Sequence, residues 1–140
     1  MMRRIISLCE EDTERAGAEL ASGLAPGTVV ALRGDLGAGK TVFVRGMAAG
    51  LGITSRVTSP TFAIVNEYHG SPELIHFDMY RLSGEDELYE LGWDDYLARN
   101  AVVVCEWSEL VPGAMEGAVT VTIEKTGPLE RLITIEGEDE

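Results

Sequence analysis

The chain has 140 residues, enough for one domain around one hydrophobic core and too few for two catalytic domains. Apolar residues make up 45% and charged residues 25%, which excludes a disordered chain. The formal net charge of −13 argues against a protein that grips the phosphate backbone of a nucleic acid by itself, so an anionic ligand would need a locally built site.

The first half of the chain alternates strands and helices. A β-type run covers residues 5–9, and a helix capped by Asp12 or Thr13 follows as far as Leu24. A β-branched strand covers residues 28–32, and a second helix is predicted over residues 41–51. The apolar positions expected to face the core from these two helices are Ala16, Leu20, Leu24, Val42, Met47 and Leu51.

The second half mixes hairpins with short helices. The elements predicted after a loop at residues 55–60 are strands at 61–68 and 74–80, helices at 84–91 and 93–99, a buried strand at 102–106, and strands at 119–124 and 131–136. The first two strands and the last two are close enough to pair as antiparallel hairpins. One α/β domain spanning residues 1–140 follows, with three layers, a mixed central sheet and a frayed acidic tail at 136–140.

Nothing in the sequence is typical of export or membrane insertion. The apolar start of the chain meets Glu10 too early for the core of a signal peptide, and no window approaches the roughly 18 apolar residues of a membrane span. Cys9 and Cys105 lie far apart and read as small buried apolar residues. We therefore expect a cytoplasmic protein that contacts neither membrane nor DNA.

Residues 34–41 match the phosphate-binding motif G-x-x-x-x-G-K-[ST] in full, between a predicted strand and a predicted helix. Glycines let successive backbone N–H groups turn inward as an anion nest, and the start of the helix adds partial positive charge. Lys40 is expected to reach the β- and γ-phosphates, and the Thr41 hydroxyl to ligate Mg²⁺. The other residues expected to hold the triphosphate are Asp35, Leu36, Gly37, Ala38 and Gly39. The motif predicts a P-loop NTPase-like fold.

A phosphate-bound Mg²⁺ usually also needs a carboxylate, commonly at the end of an apolar strand beside the phosphate loop. Asp78 ends one such run, and Glu106 ends another that is more apolar. The residues alone do not choose between the two acids. The alternative for Asp78 is an ion pair with Arg81, and the alternative for Glu106 is a solvated strand end.

Five other side chains are weaker candidates. Thr61, in a Ser-Pro-Thr sequence, belongs either to a switch loop that senses a γ-phosphate or to an ordinary proline turn. His76 fits a hydrogen-bonded structural histidine better than a base, and Trp107 either covers the site or joins the core. Arg45 and Arg81 are either phosphate contacts or surface cations. The guanine-specificity motif Asn-Lys-x-Asp is absent, which favours ATP.

Several blocks, in this order and spacing, together resemble the bacterial TsaE (YjeE) family. Besides the phosphate motif they are Phe43, Arg45-Gly46, Thr58-Ser59-Pro60-Thr61-Phe62, His76-Phe77-Asp78-Met79-Tyr80-Arg81, Glu90-Leu91-Gly92 and Glu106-Trp107-Ser108-Glu109. The resemblance covers roughly residues 10–135. It is specific because the Ser-Pro-Thr-Phe, His-x-Asp-x-Tyr-Arg and Glu-Trp sequences accompany the phosphate motif.

The resemblance implies a small ATPase of the pathway that places a threonylcarbamoyl group on the adenosine beside the anticodon of tRNA. It implies ATP hydrolysis as a partner of a TsaD–TsaB heterodimer, in which TsaD is the transferase and through which tRNA is reached indirectly. In the site, it implies catalytic roles for Lys40, Asp78 and Glu106, and Mg²⁺ ligation by Thr41 with the same two acids. It also places Trp107 near the nucleotide and Thr61 in the switch-like loop.

Two rival functions remain open at the level of sequence. A small-molecule kinase would share the phosphate motif but usually needs an arginine-rich lid, whereas the five arginines after Thr41 are isolated. A non-hydrolysing, nucleotide-dependent binding module would need no catalytic acid. No arginine finger is evident near the phosphate motif, so hydrolysis by the isolated chain is predicted to be slow. The acidic stretch at residues 82–98 is either a solvated face or a docking surface.

Overall fold

The structure is a computed structural model that describes residues 2–35, 37–54 and 65–137, without the side chain of Arg81. Its strands are β1 (Met2–Ser7), β2 (Val29–Arg33), β3 (Val65–Tyr68), β4 (Leu74–Asp78), β5 (Val102–Glu106), β6 (Val119–Lys125) and β7 (Arg131–Glu136). Its helices are α1 (Glu10–Ser22), α2 (Lys40–Gly50), α3 (Glu85–Glu90) and α4 (Trp93–Leu97). Short 3₁₀ turns occupy Met79–Arg81, Ser108–Leu110 and Pro112–Met115.

The seven strands form one mixed sheet in the order β1-β7-β6-β2-β5-β4-β3. Strand β2 runs parallel to β5 and β6, and β4 runs parallel to β5. The pairs β3–β4 and β6–β7 are antiparallel, which confirms both predicted hairpins. Parallel strands at the centre bring the carboxyl ends of β2, β4 and β5 to one edge of the sheet, where ligands of such sheets bind.

Helices cover both faces of the sheet, which confirms the three-layer prediction. Because side chains alternate along a strand, Val102 and Val104 of β5 pack under α1 and α2, whereas Val103 and Cys105 face α3 and α4. Burial of the Cys105 thiol raises its pKa, as expected for an inert core cysteine. No helix in the described part of the chain is long and apolar enough to span a membrane.

The amino-terminal elements differ from their predicted bounds. Strand β1 begins at Met2 and ends at Ser7 instead of covering residues 5–9, because the polar start of the chain pairs along β7. Helix α1 begins at Glu10 with Cys9 as its capping residue. Asp12 still stabilises the start of the helix, because its carboxylate accepts a hydrogen bond from the N–H of Leu8 at 3.0 Å.

Three further details correct the sequence-based assignments. Val42 of α2 is only half-buried. The core positions of that helix are its neighbours Phe43 and Val44, the predicted Met47, and Ala48. Strand β4 ends at Asp78, because the chain turns into a 3₁₀ turn there. Glu136 belongs to β7 and not to a frayed tail. The predicted loop at 55–60 and the predicted start of the strand at 61–64 lie outside the described residues.

Helices α1 and α2 pack with their backbones in close contact. A Cβ atom on Gly46 of α2 would collide with the carbonyl of Glu14 in α1, and one on Gly17 of α1 would collide with the carbonyl of Phe43 in α2. Only glycine fits these positions, since any larger residue would push the helices apart. This contact sets the start of α1 beside the start of α2.

Candidate active site

A cavity of about 790 Å³ lies at the carboxyl edge of the central strands. Its floor is the phosphate motif, which connects β2 to α2. One wall is formed by the ends of β4 and β5, and the other by the start of α1 and the turn before β7. The predicted site residues that line it are Gly37, Gly39, Lys40, Thr41, Asp78, Glu106 and Trp107.

Backbone geometry explains the glycines of the motif. Gly37 and Gly39 have φ angles of +82° and +106°, a left-handed region that is strained for other residues. Ala38 is buried, and its N–H donates to the carbonyl of Asp35 at 3.0 Å. Asp35 itself is exposed, and neither it nor Ala38 lines the cavity. Leu36 and Thr61 lie outside the described residues, so their predicted roles stay predictions.

The two acids lie next to each other because β4 and β5 are parallel and pair in register. Asp78 is the direct partner of Glu106 across the two strands, so both carboxylates reach the same edge of the sheet. Asp78 is half-buried, and its Oδ1 accepts the N–H of Tyr80 at 3.0 Å, which starts the 3₁₀ turn. Both acids line the cavity. The sequence could not choose between them, and the structure brings them together.

Glu106 is buried, so the alternative of a solvated strand end is wrong. Its Oε1 lies 3.6 Å from the ammonium of Lys40, and its Oε2 lies 2.6 Å from Nε2 of His76. Burial by itself raises the pKa of Glu106, but the hydrogen bond and charge of His76 and the ammonium of Lys40 outweigh it. The net pKa is lowered. The carboxylate is therefore ionised at neutral pH.

His76 is fully buried in β4, and its hydrogen bond to Glu106 confirms the prediction of a hydrogen-bonded histidine. Its Nδ1 has no hydrogen-bond partner within the described ranges. Because an ionised carboxylate can only accept, we assign the hydrogen of this bond to Nε2 of His76.

An aromatic pair closes the side of the cavity next to the acids. The ring of Trp107 lies 5.0 Å from that of Tyr80, and the Lys40 ammonium lies 4.9 Å from the Trp107 ring centre. Trp107 has a φ angle of +58°, a strained value for a bulky residue that persists because the surrounding packing holds it. Trp107 therefore covers the lysine, although its half-buried ring also packs against the buried side chains between the sheet and helices α3 and α4.

Sequence reasoning missed several residues of the cavity. Arg131, at the start of β7, donates to the carbonyls of Gly37 and Ala38 at 3.2 and 2.8 Å. No sequence signal marks an isolated arginine so far along the chain from the motif it contacts. The other unpredicted residues along the cavity are Cys9, Glu10, Thr13, Val42, Tyr80, Pro128 and Leu129. Arg45 pairs with Glu14 at 3.7 Å and does not line the cavity, in agreement with the surface-cation alternative.

The donors around the motif suit Mg²⁺ that is bound mainly through a phosphate. No group of three or more histidine, cysteine or acidic side chains able to hold a metal occurs in the described part of the chain. The Thr41 hydroxyl and the carboxylates of Asp78 and Glu106 nevertheless line the same cavity. Mg²⁺ prefers such oxygen ligands and commonly keeps several water molecules, so three protein side chains are enough to suit this ion.

Comparison with known proteins gives matches over nearly the whole chain. A family model described as "Threonylcarbamoyl adenosine biosynthesis protein TsaE" matches residues 8–133. The tRNA threonylcarbamoyladenosine biosynthesis protein TsaE of Treponema pallidum (strain Nichols) is 39% identical over 133 residues, 94% of this chain and 98% of that protein. Its counterpart in Bacillus subtilis (strain 168) is 43% identical over 126 residues, 89% and 78% of the two chains. A crystal structure of Bacillus subtilis YdiB matches with a TM-score of 0.79 at 35% identity, covering 96% of this chain and 84% of that one.

Proposed function

Since the chain belongs to the TsaE family of tRNA threonylcarbamoyladenosine biosynthesis proteins, as its motifs indicated, we propose that it binds and hydrolyses ATP with Mg²⁺ in that pathway. The observation that carries the proposal is the single cavity that combines Lys40 and Thr41 of the phosphate motif with Asp78 and Glu106. Its volume of about 790 Å³ is within the range of small-molecule sites.

The triphosphate is held by the motif in this proposal. The N–H groups at the start of α2 and the Lys40 ammonium supply the positive potential that an acidic protein otherwise lacks. Lys40 is already desolvated between Glu106 and Trp107, so a phosphate oxygen would meet it without much further loss of hydration. Pro128 and Leu129, which line the same cavity, would provide an apolar surface for the nucleoside.

Thr41, Asp78 and Glu106 would hold Mg²⁺. The ion, when bound, neutralises charge on the phosphate oxygens and so favours phosphoryl transfer. The chain's own contribution is an ionised Glu106 whose orientation is fixed by His76. With its lowered pKa this carboxylate is a weak base. Its part is therefore to orient a water molecule by accepting a hydrogen bond, or a cation through its negative charge.

Hydrolysis by the isolated chain is proposed to be slow, and a TsaD–TsaB heterodimer is the proposed partner that completes the site and contacts tRNA. Within the described residues, Arg131 is the arginine that lines the cavity. Its guanidinium already donates four hydrogen bonds to backbone carbonyls, so few of its five N–H groups are available to a phosphate. This arrangement supports a site that needs help from a partner.

Calorimetric titration with ATP, with and without Mg²⁺, tests the proposal. We expect binding by the wild-type chain, and at least about tenfold weaker binding by Lys40→Ala, because the motif loses its full charge. Arg45→Gln, which removes a cation outside the cavity on the same helix, is expected to bind as wild type. Equal affinity of Lys40→Ala and wild type would refute ATP binding at this motif, and phosphorylation of an added small molecule would support the kinase instead.

A further inference from the structure

We propose that Arg131 is a positioning residue that holds the phosphate loop and the turn at residues 126–130 in one arrangement, and thereby sets the affinity for ATP. The inference rests on the proposed nucleotide-binding function. Arg131 is the first residue of β7, and its guanidinium lies between the two segments. It is not placed as a direct phosphate ligand, because its N–H groups are engaged by the backbone.

On one side the guanidinium contacts the phosphate motif. Its Nε donates to the carbonyl of Ala38 at 2.8 Å and its Nη2 donates to that of Gly37 at 3.2 Å. In a trans peptide the carbonyl and the following N–H point in opposite directions, so fixing these two carbonyls fixes the N–H groups of Ala38 and Gly39. The Ala38 N–H is used by Asp35, which leaves the Gly39 N–H as the donor whose direction Arg131 sets.

Such fixing matters because the loop is rich in glycine. Gly37 and Gly39 adopt positive φ angles and have more backbone freedom than other residues, so an ordered loop costs more conformational entropy there. A side chain that holds both carbonyls in the absence of ligand reduces the ordering that ATP must bring about when it binds.

On the other side the guanidinium contacts the turn before β7. Its Nη1 donates to the carbonyls of Gly127 and Glu130 at 3.3 and 2.9 Å, and the Thr126 N–H closes the same turn on Glu130 at 3.1 Å. This turn carries Pro128 and Leu129, which are exposed and line the cavity. One side chain thus couples the phosphate motif to the turn that carries Pro128 and Leu129.

The guanidinium suits this role for a geometric reason. Its planar fork directs N–H groups to both sides at once, whereas a lysine ammonium is a compact charge on a flexible stem. Lysine at this position keeps the charge but cannot bridge the loop and the turn together. The pair Arg131→Lys and Arg131→Gln therefore separates positioning from simple electrostatic attraction.

The test measures ATP hydrolysis at saturating and limiting ATP, with TsaD–TsaB present, and amide hydrogen exchange of the nucleotide-free chain. For both Arg131 variants we expect a KM for ATP raised about tenfold with kcat changed less than about twofold, the signature of lost binding and not of lost chemistry. Exchange is expected to accelerate in the peptides covering residues 37–39 and 126–130 together. The control Arg45→Gln should change neither the KM for ATP nor the hydrogen exchange of these peptides.

Three results would overturn the proposal. A wild-type KM in Arg131→Lys would show that charge alone matters, and a lowered melting temperature with an unchanged KM would show a merely structural role. Faster exchange in only one of the two segments would show that they are not coupled. Should Arg131→Gln not fold, Arg131→Lys carries both measurements. A wild-type chain that binds no ATP refutes the proposed function, while the exchange data still decide the coupling.

Discussion

At the scale of single residues, the site depends on how a buried acid is paired. An ionised carboxylate away from water is costly unless each oxygen has a partner, and Glu106 has Lys40 on one oxygen and His76 on the other. The Lys40 partner would be shared with a bound phosphate, whereas His76 lies in a fully buried position of β4 and stays. In the proposed hydrolysis, His76 would therefore fix the direction of the carboxylate throughout.

Replacement of His76 by alanine tests this role. We expect ATP turnover to fall about tenfold, the lower end of the effect of removing an orienting partner, with ATP affinity changed less than threefold. Steady-state kinetics at several ATP concentrations provide the measurement. The matched control is His69→Ala, because His69 is exposed and contacts Glu73 outside the cavity. If the two variants behave alike, the orienting role of His76 is wrong.

At the scale of elements, the shape of the cavity follows from the contact between α1 and α2. The start of α1 contributes one wall and the start of α2 contributes the phosphate motif, and their glycines allow the helices to approach until backbones touch. A change at this contact should therefore affect both stability and the site.

Gly46→Ala is predicted to destabilise the fold by about 1–3 kcal/mol, because the new methyl group overlaps the Glu14 carbonyl. Helix propensity alone would favour alanine by about 1 kcal/mol, so a net loss identifies the collision. Urea unfolding measures it. Gly23→Ala, where φ is −99° and the added atom would meet only ordinary contacts at 3.8 Å or more, serves as the control and should stay within about 0.5 kcal/mol. A Gly46→Ala variant as stable as wild type would contradict the close approach of the helices.

Asp12, at the start of α1, should make a pH-dependent contribution to the stability of the folded state. The Leu8 N–H and then Arg15 hold the pKa of this carboxyl below its ordinary value of 3.8. A lowered folded-state pKa contributes stability above the unfolded-state value and loses it as the pH falls through the folded-state value. The difference in unfolding midpoint between wild type and Asp12→Ala should therefore be present at pH 6 and shrink below about pH 4. A difference that is constant with pH would contradict the pairing.

At the scale of the whole molecule, the sequence predicted what depends on local patterns. A continuous apolar run located β5 at the centre, and the glycine-rich motif located the start of α2. Strand β1 was predicted at residues 5–9 instead of Met2–Ser7, because Arg3 and Arg4 hide an edge strand whose pairing along β7 decides its bounds. Arg131 and Tyr80 were missed, since they reach the cavity only through tertiary contacts that no local pattern encodes.

The charge distribution leads to a further prediction. Acidic side chains cluster on α3 and α4, and the net charge of −13 opposes association with a polyanion. The isolated chain is expected to show no measurable affinity for tRNA at physiological salt, whereas the TsaD–TsaB heterodimer should bind it. Fluorescence anisotropy with labelled tRNA measures both. Micromolar binding by the isolated chain would mean that it contacts tRNA directly.

The most direct test of the central claim compares wild type with Glu106→Gln in a reconstituted reaction containing TsaD–TsaB, a threonylcarbamoyl donor, tRNA, ATP and Mg²⁺. Glutamine keeps the shape of the side chain and removes its charge. We predict that both proteins bind ATP, and that Glu106→Gln loses ATP turnover and sustained formation of threonylcarbamoyladenosine by at least about tenfold. Wild-type rates of hydrolysis and of tRNA modification with Glu106→Gln would contradict the assignment of this site as a hydrolytic centre.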